Sequence, residues 1–369
     1  MKKRCSNLVS FLLFVSLLFS ISFPSRAFAS SYASHIRLTP ELAETTAENF
    51  ALNLGKKVHA ISTQKFYNSN DCAIGYIVYV QDDFGKKGYV VLDNSQSDFI
   101  SEFSFSEGNN ASSPHIESEI PTNTNALRSY QPSSSKLYKT SPFSYCSKTA
   151  PTSWQLFSSG KHNSKWEDIF VLPSTIYENY NLEHTNHLAE FYTLSESEVE
   201  QITKHYACSV SAAYICAYYY GANIGVIDPN LEKDYMDIWQ KTKTSVYRIS
   251  GGITEGSTYD TDVAPGINAH LNSKHISARA KHSANIRYTD FTRSIDSKNI
   301  AILHCGINQH DGRHGHSMAV EGYCTIQKKN DQSRLHTLMV CDGWDTGNVR
   351  YVNLDYAYFT DYTGTLFHE

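Results

Sequence analysis

Cys208 stands immediately before an apolar run of helical length, in the stretch HYACSVSAAYICAYYYG over 205–221. A thiol at the first turn of a helix feels the positive end of the helix dipole, and a neighbouring imidazolium helps it ionise to the nucleophilic thiolate. On this stretch alone Cys208 reads equally as half of a disulfide or as core filling, because free cysteine is among the most buried residue types. His316, in HGHSMAVEGY, opens a strand-like run and has the chemistry to act as base toward a thiol and then as acid toward a leaving amine. Asp342, in LMVCDGW at the end of the following strand-like run, has the chemistry to hold the far nitrogen of His316 and fix its tautomer. The plainer readings are that His316 is one of sixteen histidines in a polar turn and that Asp-Gly is an ordinary turn.

A competing site is the cluster His304, Cys305, His310, His314 and His316. His314 and His316 would share one face of a strand, and imidazole and thiolate together suit a transition metal. The Gly- and Asp-rich surroundings and the absence of an HExxH helix favour no metal, and no cofactor is expected.

These residues need elements to position them. Ser195 and Glu198 have capping-box spacing at the start of SEVEQITKHY, and the helix expected from Cys208 to Tyr220 ends at Gly221. Its apolar residues lie on most sides, as in a helix running through the centre of a domain. From Lys298 onward the period changes to that of strands: KNIAILHCGIN, GHSMAVEGYCTI, LHTLMVCDGW and VRYVNL, separated by turn-rich stretches. Helix first and antiparallel sheet later make an α+β unit over 165–369.

An earlier unit, 30–106, opens with TPELAETTAENFALNLG. Thr39 caps, Pro40 takes the first helical position and Gly55 stops the run. Three strand-like segments follow, so one helix against a small antiparallel sheet is expected. Residues 107–164 shift to Ser, Thr, Asn and Pro and read as a linker, with Trp154 and Trp166 suggesting that its end packs on the second unit. Residues 1–29 have the form of a secretory signal: Lys2, Lys3 and Arg4, an apolar stretch from Leu8 to Phe23, and Ala27-Phe28-Ala29 as the cleavage pattern. The mature chain is therefore expected to be extracellular and free of the membrane. A net charge of −5 over 369 residues, with no basic block after the leader, gives no footprint for nucleic acid. Of the eight cysteines Cys5 lies in the leader, and the remaining seven cannot all pair within one chain.

The order of cysteine at a helix start, histidine at a strand start and Asp-Gly-Trp after the next strand resembles the papain-like superfamily. In particular it resembles bacterial secreted peptidases of the streptopain and bacteriocin-leader-processing kind. Segments FALNLG, FYNSNDCAIGYIVYV and KGYVVLD also look like the pro-segment of streptopain-type enzymes. The resemblance spans roughly 39–105 and 195–355. It implies a papain-like fold preceded by a small α+β pro-domain, a cysteine peptidase acting on proteins or peptides, and a zymogen whose pro-segment inhibits in cis until the linker is cut. It assigns Cys208 as nucleophile, His316 as acid-base and Asp342 as orienting group. The oxyanion hole would comprise the Cys208 backbone N–H and a glutamine, for which Gln201 is the nearest candidate. Ser209-Val210 departs from the Cys-Gly of such enzymes. The same triad also serves amidases and transglutaminase-like enzymes, and a catalytically inactive binding protein on this scaffold is the alternative from another class.

Overall fold

The computed structural model describes residues 35–369 except 69, 96–98, 106–112, 118–135, 142, 149–166, 191, 228–230, 310–311, 345–348 and 356–358. The expected leader, and Trp154 and Trp166, lie outside the described residues. The chain is a mixed α+β structure built on one long sheet.

The first helix forms as its sequence dictates. The Thr39 hydroxyl accepts from the Leu42 N–H at 3.3 Å, Pro40 occupies the first turn, and Ala43, Ala47, Phe50 and Ala51 are buried against the strands that follow. Those strands, Val58–Tyr67, Ala73–Asp82, Lys87–Asp93 and Ile100–Ser104, pair in sequence order as an antiparallel meander.

In the second unit the strand Gly312–Lys328 pairs with Ala301–Gln309 on one side and Arg334–Cys341 on the other. Arg350–Asn353 follows Arg334–Cys341, and Phe359–His368 flanks Ala301–Gln309. The helix Cys208–Gly221 packs across this sheet with ten of its residues buried, which explains why it is apolar on nearly every side.

Two features differ from the reading of the sequence. The sheets of the two units are continuous, because Arg350–Asn353 pairs with Ile100–Ser104 through Tyr351↔Phe103 and Val352↔Glu102. Phe103 and Tyr351 stack there with centroids 4.8 Å apart, and the buried Ser104 hydroxyl donates to the Val349 carbonyl at 2.6 Å. The 107–164 stretch is also not wholly a linker: Lys136–Ser141 and Ser144–Lys148 extend the first unit's sheet, with His115–Glu117 beside them. Its average composition is polar, but Leu137, Tyr138, Phe143 and Tyr145 are buried, and apolar burial outweighs the surrounding Ser and Thr. Lys139 is buried with them and pairs with Asp93.

Several elements escaped the sequence reading: the helices Glu232–Lys241, Asp260–Ser273 and Tyr288–Asp296, the hairpin Ser245–Ser250 with Ile253–Ser257, and the final strand. The hairpin had a signal in Gly251-Gly252, where both residues adopt positive φ as a two-residue turn requires. Among the described residues no helix is long and apolar enough to cross a membrane.

Candidate active site

Cys208 begins the central helix, as expected. Ala207 before it is extended (φ −150°, ψ 123°) and has no capping side chain; its N–H donates instead to the Tyr235 hydroxyl at 2.9 Å, which fixes the entry of the chain into the helix. First-turn N–H groups lack helical carbonyl partners, so the Cys208 N–H is available to a ligand's oxygen.

His316 lies in the strand packed against this helix and is 7% exposed, while Cys208 is partly exposed. Each of the two side chains shifts the ionisation of the other. Burial by itself raises the Cys208 thiol, but the bond to His316 and its charge, the Ser317 N–H and the Ser209 hydroxyl together outweigh burial and leave the thiol below its ordinary value. Burial likewise pushes the His316 imidazole down, and the Cys208 thiolate and Asp342 reverse this to leave it above its ordinary value. Thiol lowered and imidazole raised are the two halves of a thiolate–imidazolium pair.

His316 meets Asp342 at its main-chain carbonyl and not at the carboxylate that was expected. His316 Nε2 donates to the main-chain carbonyl of Asp342 at 3.0 Å. The Asp342 carboxylate is occupied elsewhere: Oδ1 accepts from the Trp344 N–H at 3.0 Å and Oδ2 lies 2.8 Å from Arg350 Nε. A buried guanidinium must have a carboxylate beside it, and Asp342 supplies one. Gly343, at φ +80°, makes the turn that returns Trp344 over the histidine, where the rings stack at 4.3 Å and 18°.

Ser209, the point of departure from the resembled enzymes, is an anchor. Its hydroxyl shares a 2.8 Å hydrogen bond with the Ser317 hydroxyl; Ser317 also bonds His304 Nδ1 at 2.8 Å, and His304 Nε2 bonds the Thr365 hydroxyl at 2.9 Å. This buried chain ties helix, histidine strand and sheet together. Burial drives the His304 imidazole down to about 4, so it is neutral and serves as a hydrogen-bonding strut.

One expectation fails here. Gln201 is exposed on the helix Glu196–Thr203 and does not line the cleft, because that helix precedes the turn at Lys204 and presents its side chain to solvent. In the competing cluster, both ring nitrogens of His304 are held by hydroxyls, His316 Nε2 meets the Asp342 carbonyl, and Cys305 is buried with its thiol bonded to the His316 carbonyl at 3.4 Å. Among the described residues no group of three metal-ligating side chains occurs. His310 and the side chain of His314 lie outside the described residues.

A cleft of about 450 Å³ opens over the pair. Its floor is Ala207–Ser209 and Gly315–Ser317, and its walls come from Gly256–Asp260, His304–Gly306 and Asp361–Thr363. Asp260 and Thr363 join two of these walls through a 2.6 Å hydrogen bond. Every lining residue lies between 207 and 363, so none of the described residues of the first unit lines the cleft.

One structural neighbour is a cysteine protease. The active wild-type Prevotella intermedia interpain A cysteine protease is similar to this chain at 14% identity over 36% of this chain and 52% of the other, with a TM-score of 0.24. No family model matches the chain, and no curated protein matches it. At that score the likeness carries no argument, and the functional reading rests on the site.

The cysteines outside the pair are chemically quiet. Cys216, two turns further along the helix, is fully buried with its thiol pushed up by burial. Cys305 and Cys341 are raised in the same way.

Proposed function

We propose that this protein is a papain-like cysteine peptidase that is exported and acts outside the cell. The observation that carries the reading is Cys208 at a helix N-terminus with His316 beside it in the lining of one open cleft, each shifting the other's ionisation. Cys208 as thiolate attacks the carbonyl carbon of a peptide, forming a carbon–sulfur bond, and the carbonyl oxygen takes the negative charge beside the Cys208 N–H. His316, as imidazolium, gives its proton to the departing amine nitrogen when the C–N bond breaks. The neutral imidazole then takes a proton from water, which attacks the thioester and restores the thiolate. Throughout, the Asp342 carbonyl holds Nε2–H and keeps Nδ1 toward the sulfur. The Trp344 ring across the imidazole limits its swing.

The zymogen part of the reading, with residues 30–106 as an inhibitor in cis, has less support because no described residue of that unit lines the cleft. Export rests on the form of residues 1–29.

The experiment is incubation of the full chain and Cys208→Ala, under reducing conditions, with an unfolded protein substrate and then with a thiol-directed covalent peptidase inhibitor. The reading expects cleavage by the wild type alone and an adduct on Cys208. Substrate intact with both proteins, together with labelling of Cys208 no faster than of Cys72, would sink it. Cleavage that starts only after the 107–164 stretch is cut supports the zymogen, and immediate cleavage by the intact chain removes it.

A further inference from the structure

Behind the cleft, three ionisable side chains are removed from water: Arg350 and Asp342 are 1% exposed and Glu102 is 0% exposed. Arg350 Nε lies 2.8 Å from Asp342 Oδ2, and Arg350 Nη1 lies 3.5 Å from Glu102 Oε2. The planar guanidinium fork is suited to face two carboxylates from different directions, as an ammonium is not. Glu102 belongs to the first unit, in the strand that pairs with the arginine's own strand. A line of contacts therefore runs from the first unit through Arg350 and Asp342 to His316 and Cys208.

The pair Arg350–Asp342 decides which oxygen His316 meets. With its carboxylate held by Arg350 and by the Trp344 N–H, Asp342 has its main-chain carbonyl left for Nε2–H. Resting on the peptidase reading above, we infer that Arg350, backed by Glu102, is a positioning residue that sets the Asp342 turn and through it His316, so that the first unit completes the active site from behind. Lys139, Asp342 and Tyr145 share the environment of Glu102, and Lys139 carries Asp93 with it. Burial pushes the Glu102 carboxyl up to about 7 even though Arg350 and Lys139 pull it down, as suits a carboxyl built into a protein interior.

The test uses the full chain and reads the rate of Cys208 alkylation by iodoacetamide against pH, with adduct mapping and a thermal melt for each variant. Alkylation follows the thiolate and needs no substrate. Arg350→Met is expected to move the Cys208 profile by about one pH unit toward that of an ordinary thiol, slowing alkylation about tenfold on the acid side. Arg350→Lys, which keeps charge but loses the fork, is expected to move it part of the way, and it decides the matter if Arg350→Met does not fold. Glu102→Ala is expected to move it in the same direction by less, and to add nothing on top of Arg350→Met. A wild-type profile in folded Arg350→Lys, or a Glu102→Ala effect that adds in full to that of Arg350→Met, overturns the inference. Wild-type protein that keeps low-pH alkylation but cuts no peptide counts against the peptidase reading alone.

Discussion

Ser209 and Ser317 share a 2.8 Å hydrogen bond between the residue after Cys208 and the residue after His316. The bond clamps helix to strand at the one place where Cys208 and His316 must stay in contact. It is backed by His304 and Thr365, so the clamp is a chain of four largely buried side chains.

Removing the middle of that clamp is therefore costly. Ser317→Ala leaves the Ser209 hydroxyl and His304 Nδ1 without their shared partner, and a buried polar group without a partner costs about 1–3 kcal/mol. A urea melt of Ser317→Ala is expected to show a loss of that order, with slower Cys208 alkylation. A melt superimposable on the wild type would remove the clamp from the account.

The Cys208–His316 pair gives activity two pH limits with a definite sign. The thiol is lowered, so the thiolate persists as pH falls below the ordinary thiol range near 8.5, and activity is lost only where it is finally protonated. The imidazole is raised, so the imidazolium that protonates the leaving amine persists above the ordinary histidine value near 6.5 and is lost at still higher pH. A bell-shaped kcat/KM profile is expected, with Cys208 alkylated in acid faster than Cys72. Equal alkylation of the two thiols below neutral pH contradicts the ion pair.

Glu321 predicts an effect on stability apart from the chemistry. It is 1% exposed, its Oε1 accepts from the Tyr192 N–H at 3.4 Å, and burial pushes its carboxyl up to about 8. The fold holds the protonated form, so the stability Glu321 contributes is intact below the ordinary carboxyl value near 4.3 and is lost as pH rises through about 8. Glu321→Gln keeps the acceptor and cannot ionise. Denaturant melts are expected to match the wild type at acid pH and to exceed it at alkaline pH by roughly 5 kcal/mol. An equal difference at both ends of the range would show that ionisation is not its cause.

Gly343 connects backbone strain to the site. At φ +80° an alanine is strained by about 1 kcal/mol or more, although its Cβ would meet nothing closer than the Tyr206 hydroxyl at 3.4 Å. Gly343→Ala is expected to lower the melting temperature slightly and kcat by more than it changes KM, because the turn carries the Asp342 carbonyl and Trp344 to His316. A change confined to KM would place its effect in substrate binding.

Local chemistry wrote much of this protein into its sequence. Thr39-Pro40 and Ser195 with Glu198 start their helices by pairing or omitting orphan N–H groups, an interaction that spans three residues. The all-round apolar run after Cys208 required a central helix, and alternation after Lys298 required strands. Cys208, His316 and Asp342 were visible because residue type, order and element suffice to nominate them. What Asp342 offers to His316 was not visible: carbonyl or carboxylate depends on Arg350, and the burial of Arg350 depends on Glu102, 248 positions earlier in the chain (350 − 102). The same holds for the cleft walls at Gly256–Asp260 and Asp361–Thr363, and for the join between the two sheets. Sequence periodicity reports which face of an element is apolar, whereas long-range pairing and the competition for a buried charge are settled only when the chain closes on itself.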